Sequence, residues 1–240
     1  MQGNVRRIAV LMLVAGIGMC ATVQASSSLW TGVDGGLSAS ALFEVSGGNL
    51  VVTLTNTSMN DVLIPDHVLT AVFFDVATAP ALSPVSAVIG PMSTVLFGGT
   101  DPGGVVGGEW ALAGSLSGAP GNAAYGISSA GFGLFGSPNF PGSNLQGPMG
   151  VNGLEYGITS AGDNPLTGNT PVTGTNALVK NQVIFNLGAV SGDFDPRTQI
   201  GNVLFQYGTG LHEPTIPGVP EPASLVLIAV GSLVSLVRRR

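Results

Sequence analysis

Along residues 49–56 the side chains alternate, with Val52, Leu54 and Asn56 on one side of an extended chain and Val51, Thr53 and Thr55 on the other. That period of two predicts a strand with one covered face and one Thr-rich face turned to water. Residues 39–45 have similar composition and are separated from it by Ser46-Gly47-Gly48, so the pair predicts a hairpin closed by a short glycine loop. Residues 69–76 form a near-continuous apolar run instead, as expected of a strand at the centre of a core. Residues 85–89 and 93–97 predict a second hairpin across Gly90-Pro91-Met92, and residues 109–113, 177–187 and 200–207 predict further strands. Tyr125-Gly126-Ile127-Ser128-Ser129-Ala130-Gly131 is echoed by Tyr156-Gly157-Ile158-Thr159-Ser160-Ala161-Gly162, which predicts two equivalent strands in paired or facing positions. Many short strands with no amphipathic helix between them point to an all-β body, an antiparallel β-sandwich over residues 26–217.

Both ends of the chain break this pattern. Arg6 and Arg7 precede an apolar stretch at 8–21, and Val23-Gln24-Ala25 supplies small residues for cleavage after Ala25. Together these predict a cleavable secretory signal helix over residues 1–25. At the other end, Pro220-Glu221-Pro222 leads into the apolar run 223–237 and then Arg238, Arg239 and Arg240. As a helix that run is about 22 Å long, short of a hydrocarbon core of about 30 Å. Its apolar side chains favour insertion by only about 3 to 5 kcal/mol. The expectation is a marginal single transmembrane helix, with the arginines held on the cytoplasmic side and the body across the inner membrane.

Charge narrows the partners. Outside the two ends the only basic residues are Lys180 and Arg197, against twelve of the thirteen acids. Nucleic acid is therefore excluded as a partner, because neutralising phosphates takes Lys and Arg. The one cysteine, Cys20, lies in the signal segment, so no disulfide holds the body and its apolar core must do so.

The tripeptide, the apolar run and the terminal basic cluster together resemble the PEP-CTERM sorting signal of exosortase-dependent bacterial surface proteins. That resemblance implies that Pro220, Glu221 and Pro222 are read by a membrane-embedded exosortase, a cysteine transpeptidase-like enzyme that processes the tail. Val52-Thr53-Leu54-Thr55-Asn56-Thr57, Leu69-Thr70-Ala71-Val72-Phe73-Phe74-Asp75, Gly104-Val105-Val106-Gly107-Gly108-Glu109-Trp110 and Phe205-Gln206-Tyr207-Gly208 make the body similar to a family of such surface proteins as well. That second resemblance implies a location and no activity.

Chemistry in the body is sparse. Gly131 to Gly136 fits G-x-G-x-x-G, but Pro138 and Pro141 follow directly, so no phosphate-binding helix starts there. His67 and His212 stand in unrelated contexts, and no nucleophile elbow accompanies either. Asp193 and Asp195, with Asp101, Asp163 and Glu155 in or near glycine-rich loops, offer oxygen ligands without a calcium-loop spacing. Asn56-Thr57-Ser58 has the form of a glycosylation sequon. The expectation is no catalytic residue, no metal and no cofactor. The reading is an exported cell-surface or matrix protein with a structural or adhesive role beside exopolysaccharide, in biofilm. A carbohydrate-binding module using Trp30, Trp110, Tyr125, Tyr156 and Tyr207 is the alternative. A polysaccharide-acting enzyme using two of Asp66, Asp75, Glu109 and Glu155 comes third.

Overall fold

The computed structural model describes residues 26–98, 103–135, 145, 153–188 and 190–222. The signal segment with Ala25, the apolar run 223–237 and Arg238, Arg239 and Arg240 lie outside the described residues. Among the described residues no helix is long and apolar enough to cross a membrane.

The described residues begin with a meander of β1 (Ser27–Asp34), β2 (Leu37–Ser46) and β3 (Asn49–Asn56). Both connections are two-residue glycine turns. Gly35 and Gly36 have φ of 56° and 89°, and Gly47 and Gly48 have φ of 59° and 79°. Positive φ at both turn residues matches the twist of the flanking strands, and glycine adopts it without strain. The expected hairpin at 39–56 is present and extends a strand further upstream.

A single 3-10 turn at Pro65–His67 leads into β4 (Leu69–Val76), and then come β5 (Ser83–Ile89) and β6 (Thr94–Leu96). β7 (Ala111–Ala113), β8 (Tyr125–Ser128), β9 (Ile158–Thr159) and β10 (Leu178–Lys180) are short. β11 (Gln182–Gly188), the four-residue helix α1 (Pro196–Gln199), β12 (Ile200–Tyr207), β13 (Thr215–Pro217) and β14 (Val219–Pro220) complete the described chain. The first sheet runs β14-β1-β2-β3-β11-β5. The second runs β13-β12-β4-β9-β10-β6, with β8 also on β4 and β7 on β8. Pairing is antiparallel except between β9 and β10, which run parallel.

The two sheets share one core. Phe43 of β2 meets Phe74 of β4 edge to face, with ring centroids 5.3 Å apart, and Trp110 packs on Phe185 of β11 at 4.8 Å. Each such fully buried ring removes enough apolar surface to contribute roughly 4 to 6 kcal/mol of transfer free energy before entropy is counted. β4 is buried on both faces, as its near-continuous apolar run requires. Its far side, Ala71 and Phe73, packs against Ala111, Ala119, Ala123 and Phe135.

Four sequence expectations change here. Residues 85–97 do not form a hairpin, because β5 belongs to the first sheet and β6 to the second. Residues 177–187 are not one strand, because the chain breaks at Asn181, with φ of 89°, into β10 and β11. These two departures are one event. β5 and β6 pair with β11 and β10, so a two-stranded ribbon passes from one sheet to the other. Polar side chains hold its corner: Gln182 Nε2 donates to the Pro91 carbonyl at 3.0 Å, and the Gln182 amide donates to Ser93 Oγ at 3.1 Å. Such bends are how strands change sheets at the side of a two-layer body. The third change is at residues 109–113, where Gly107–Glu109 is a 3-10 turn and only Ala111–Ala113 is extended. The two related heptapeptides both give strands on β4, opposite Ala71 to Phe74 and Leu69 respectively, but the expected paired or facing arrangement is not found, because β8 and β9 belong to the same sheet and do not pair with each other.

Candidate functional site

Pro220, Glu221 and Pro222 are exposed, and they are part of the fold. β14 pairs antiparallel with β1, placing Pro220 opposite Trp30 and Val219 opposite Thr31. The Glu221 amide donates to the Leu29 carbonyl at 2.8 Å, and Thr31 Oγ1 donates to Glu221 Oε1 at 2.8 Å. The tripeptide carries a single backbone N–H, because neither proline has one, and β1 takes it. Prolines belong on the outer strand of a sheet, where a missing donor faces solvent and discourages a further strand from adding.

The approach to this edge is set by glycine. A Cβ on Gly32 of β1 would lie 2.9 Å from Ile216 Cγ2 and 2.9 Å from Phe205 Cδ2. Only glycine allows β1 to pass so close to β12 and β13. Gly218 sits between β13 and β14 and donates its amide to the Val203 carbonyl at 2.8 Å, so the last two strands fall in different sheets. Neither β1 nor this docking was legible as a signal. Residues 27–34 mix serine and glycine with few apolar side chains, and the tripeptide reads as a recognition motif whether docked or free.

Beside this edge lies the outer face of the first sheet. One row across it is Thr31, Ser40, Thr55 and Gln182, and the next is Leu29, Leu42, Thr53, Ile184 and Val88. None of these residues is buried. On that face of β2, β3, β11 and β5, Glu44 is the one ionisable side chain. The alternation read from 49–56 is what produces it: Leu50, Val52, Leu54 and Asn56 turn inward.

The candidate acids are mostly spent on the fold. Asp195 caps α1, accepting from the Arg197 amide at 3.0 Å, and pairs with the Arg197 guanidinium at 2.8 Å. Asp75 accepts from the Ala124 amide at 2.7 Å and from Asn202 Nδ2 at 3.0 Å. Asp61 and Asp163 clamp two loops reciprocally. Asp61 accepts from the Thr167 hydroxyl and the Asn164 amide, which hold its carboxyl below the usual range. Asp163 accepts from the Val62 amide at 3.0 Å, and burial pushes its pKa up. Among the described residues no group of three or more potential metal-ligating side chains is assembled. Asp101 lies outside the described residues. A small pocket of about 70 Å³ beside Asn56, Asp61 and His67 is well below the few hundred Å³ of an ordinary small-molecule site.

Glu109 differs from the others. It is 3% exposed, its Oε2 has no hydrogen-bond partner, and burial together with the neighbouring charge of Glu155 pushes its pKa up to about 7. The aromatic side chains meanwhile serve the core: Trp110, Tyr125 and Tyr207 are buried, and Trp30 and Tyr156 pack against the same cluster. The sequon is not available either. Asn56 is 1% exposed, and its Nδ2 donates to the Ile158 carbonyl at 3.0 Å.

Residues 218–240 match a family model described as the PEP-CTERM protein-sorting motif. The match takes in β14, the tripeptide, the apolar run and the arginine cluster, and covers no residue before Gly218. No curated protein and no solved structure matches the chain. The motif implies export and sorting to the cell surface through an exosortase.

Proposed function

Starting from a PEP-CTERM sorting-domain protein that is exported and sorted by an exosortase, we propose a structural or adhesive component of the cell surface or extracellular matrix, associated with exopolysaccharide. The body is a β-sandwich that meets neutral polymer or neighbouring chains through the outer face of its first sheet. The apolar run 223–237 holds the chain in the inner membrane until the tail is processed, with Arg238, Arg239 and Arg240 on the cytoplasmic side. The chain performs no catalysis, and its contacts are non-covalent.

The observation that supports this role is the nearly uncharged, hydroxyl- and amide-bearing face built by Thr31, Ser40, Thr55, Gln182 and Thr53. Such groups exchange hydrogen bonds with sugar hydroxyls at little desolvation cost, and Leu42 and Ile184 between them cover apolar ring faces. A carbohydrate-binding module with an aromatic platform is disfavoured, because the five candidate aromatics lie in or against the core.

Retention of the protein on neutral exopolysaccharide from its own matrix tests the role. The double variant Ser40→Glu, Thr53→Glu places two charges on the face and is expected to lower retention at least fivefold with the fold intact by circular dichroism. Equal retention would remove the adhesive reading. Sorting is tested separately by replacing Pro220-Glu221-Pro222 with three alanines, which is expected to leave the chain uncut in the membrane.

A further inference from the structure

The docked tripeptide has a consequence for its own processing. We propose that β1 withholds the sorting motif from the exosortase, so that Val219 to Pro222 must lift from the sheet edge before the tail is processed; this rests on the exosortase reading above. Enzymes that process peptides commonly bind them extended, through main-chain hydrogen bonds. Here the only main-chain donor of the tripeptide is already given to Leu29, and one oxygen of the Glu221 carboxylate is held by Thr31. What remains exposed is the donor-free outer edge, which cannot pair with an added strand through N–H groups.

Reach argues the same way. Ala223, the first residue of the apolar run, is two residues past Glu221, about 7 Å at full extension. With β14 docked, the sheet edge is pinned beside the membrane and obstructs an embedded enzyme. Release back to Gly218 lengthens the leash to about 17 Å. The dock consists of two ladder pairs, extended by the Glu221 backbone bond to Leu29 and one side-chain bond, and so short a pairing at a sheet edge opens far more readily than the strands behind it. It therefore sets a rate of processing and does not forbid it.

A reversible lock tests this in the full-length chain. Thr31 and Val219 face each other across an antiparallel pair, where Cα atoms lie about 4.5 to 5.5 Å apart, within disulfide range. The double variant Thr31→Cys, Val219→Cys has no competing thiol once the segment bearing Cys20 is removed. In membranes containing the exosortase, with tail loss followed by intact mass, the oxidised variant is expected to be processed at least tenfold more slowly than the same variant reduced. Thr31→Val, which removes only the hydroxyl on Glu221, is expected to be processed several-fold faster than wild type. Equal rates for oxidised and reduced forms would overturn the proposal. If wild type itself keeps its tail, the exosortase reading fails and the withholding fails with it. The dock is then judged alone by amide hydrogen exchange, which at Glu221 is expected to be several-fold slower than in an open chain and to approach the open-chain rate in Thr31→Val. Exchange at the rate of an open chain would show that there is no dock.

Discussion

The two sheets obey different rules. In the first, β3 and the middle of β2 alternate between buried and accessible positions, and the outer face is left to solvent. In the second, β4 is buried along both faces, and short strands and turns cover it. The second sheet consequently encloses polar groups that must be satisfied internally. Gln206, fully buried, donates from Nε2 to the carbonyls of Tyr207 at 2.8 Å and Gly210 at 3.1 Å, and accepts from Thr215. One sheet displays a surface, while the other supports it. The division predicts that equivalent truncations on the two outer faces differ by several kcal/mol.

The largest effect is expected at Phe73, on the far side of the second sheet. Phe73→Ala removes a ring packed on Phe132 and Phe135, and should cost about 3 to 5 kcal/mol in urea unfolding. A loss below about 1 kcal/mol would mean that this far side is not a true second core.

Glu109 comes next, and its sign is opposite to that of a salt-bridged carboxylate. Its pKa is raised from 4.5 to about 7 in the folded chain, so the folded state holds a proton that the unfolded state gives up first. Stability is therefore full below pH 4.5 and falls as pH rises toward about 7, by up to about 3 kcal/mol. Glu109→Gln should flatten that slope, as measured by unfolding midpoints across the same range. An unchanged slope would place the titration elsewhere.

Asn56 joins the sheets, since it sits at the end of β3 and donates to Ile158 of β9. Asn56→Ala removes the donor to that carbonyl and one of the two acceptors of the Ser58 amide, the Ser38 carbonyl being the other, and should cost about 2 kcal/mol by thermal unfolding. The smallest effect belongs to the displayed face, where Thr53→Ala should change stability by no more than about 0.5 kcal/mol.

The same contrast explains how much could be read beforehand. Period-two patterning arises where one face is wet, and residues 49–56 were legible residue by residue. The near-continuous apolar run 69–76 also announced a strand covered on both sides. What escaped was long-range pairing. Gly90-Pro91-Met92 has the composition of a hairpin turn, yet β5 and β6 part company there because each finds a better partner in β11 and β10. Residues 177–187 look continuous because a change of sheet needs only one residue with positive φ, Asn181. The sorting motif was plain from its order along the chain, whereas its seat on β1 depends on a strand too poor in apolar residues to stand out. Glu109 carried no sequence signal of burial beyond its place before Trp110.

Gly218 has a mechanical meaning. Were the body held by the run after Pro222, as proposed above, every tug would arrive at the junction between β13 in one sheet and β14 in the other. Force arriving there meets a two-residue strand on β1 first and a three-residue strand on β12 second. Short pairings give way one after another, spending extension while the interlocked rings behind them stay in place. Shear in flowing water would thus be absorbed at the hem of the molecule, and the displayed face would keep its shape under tension.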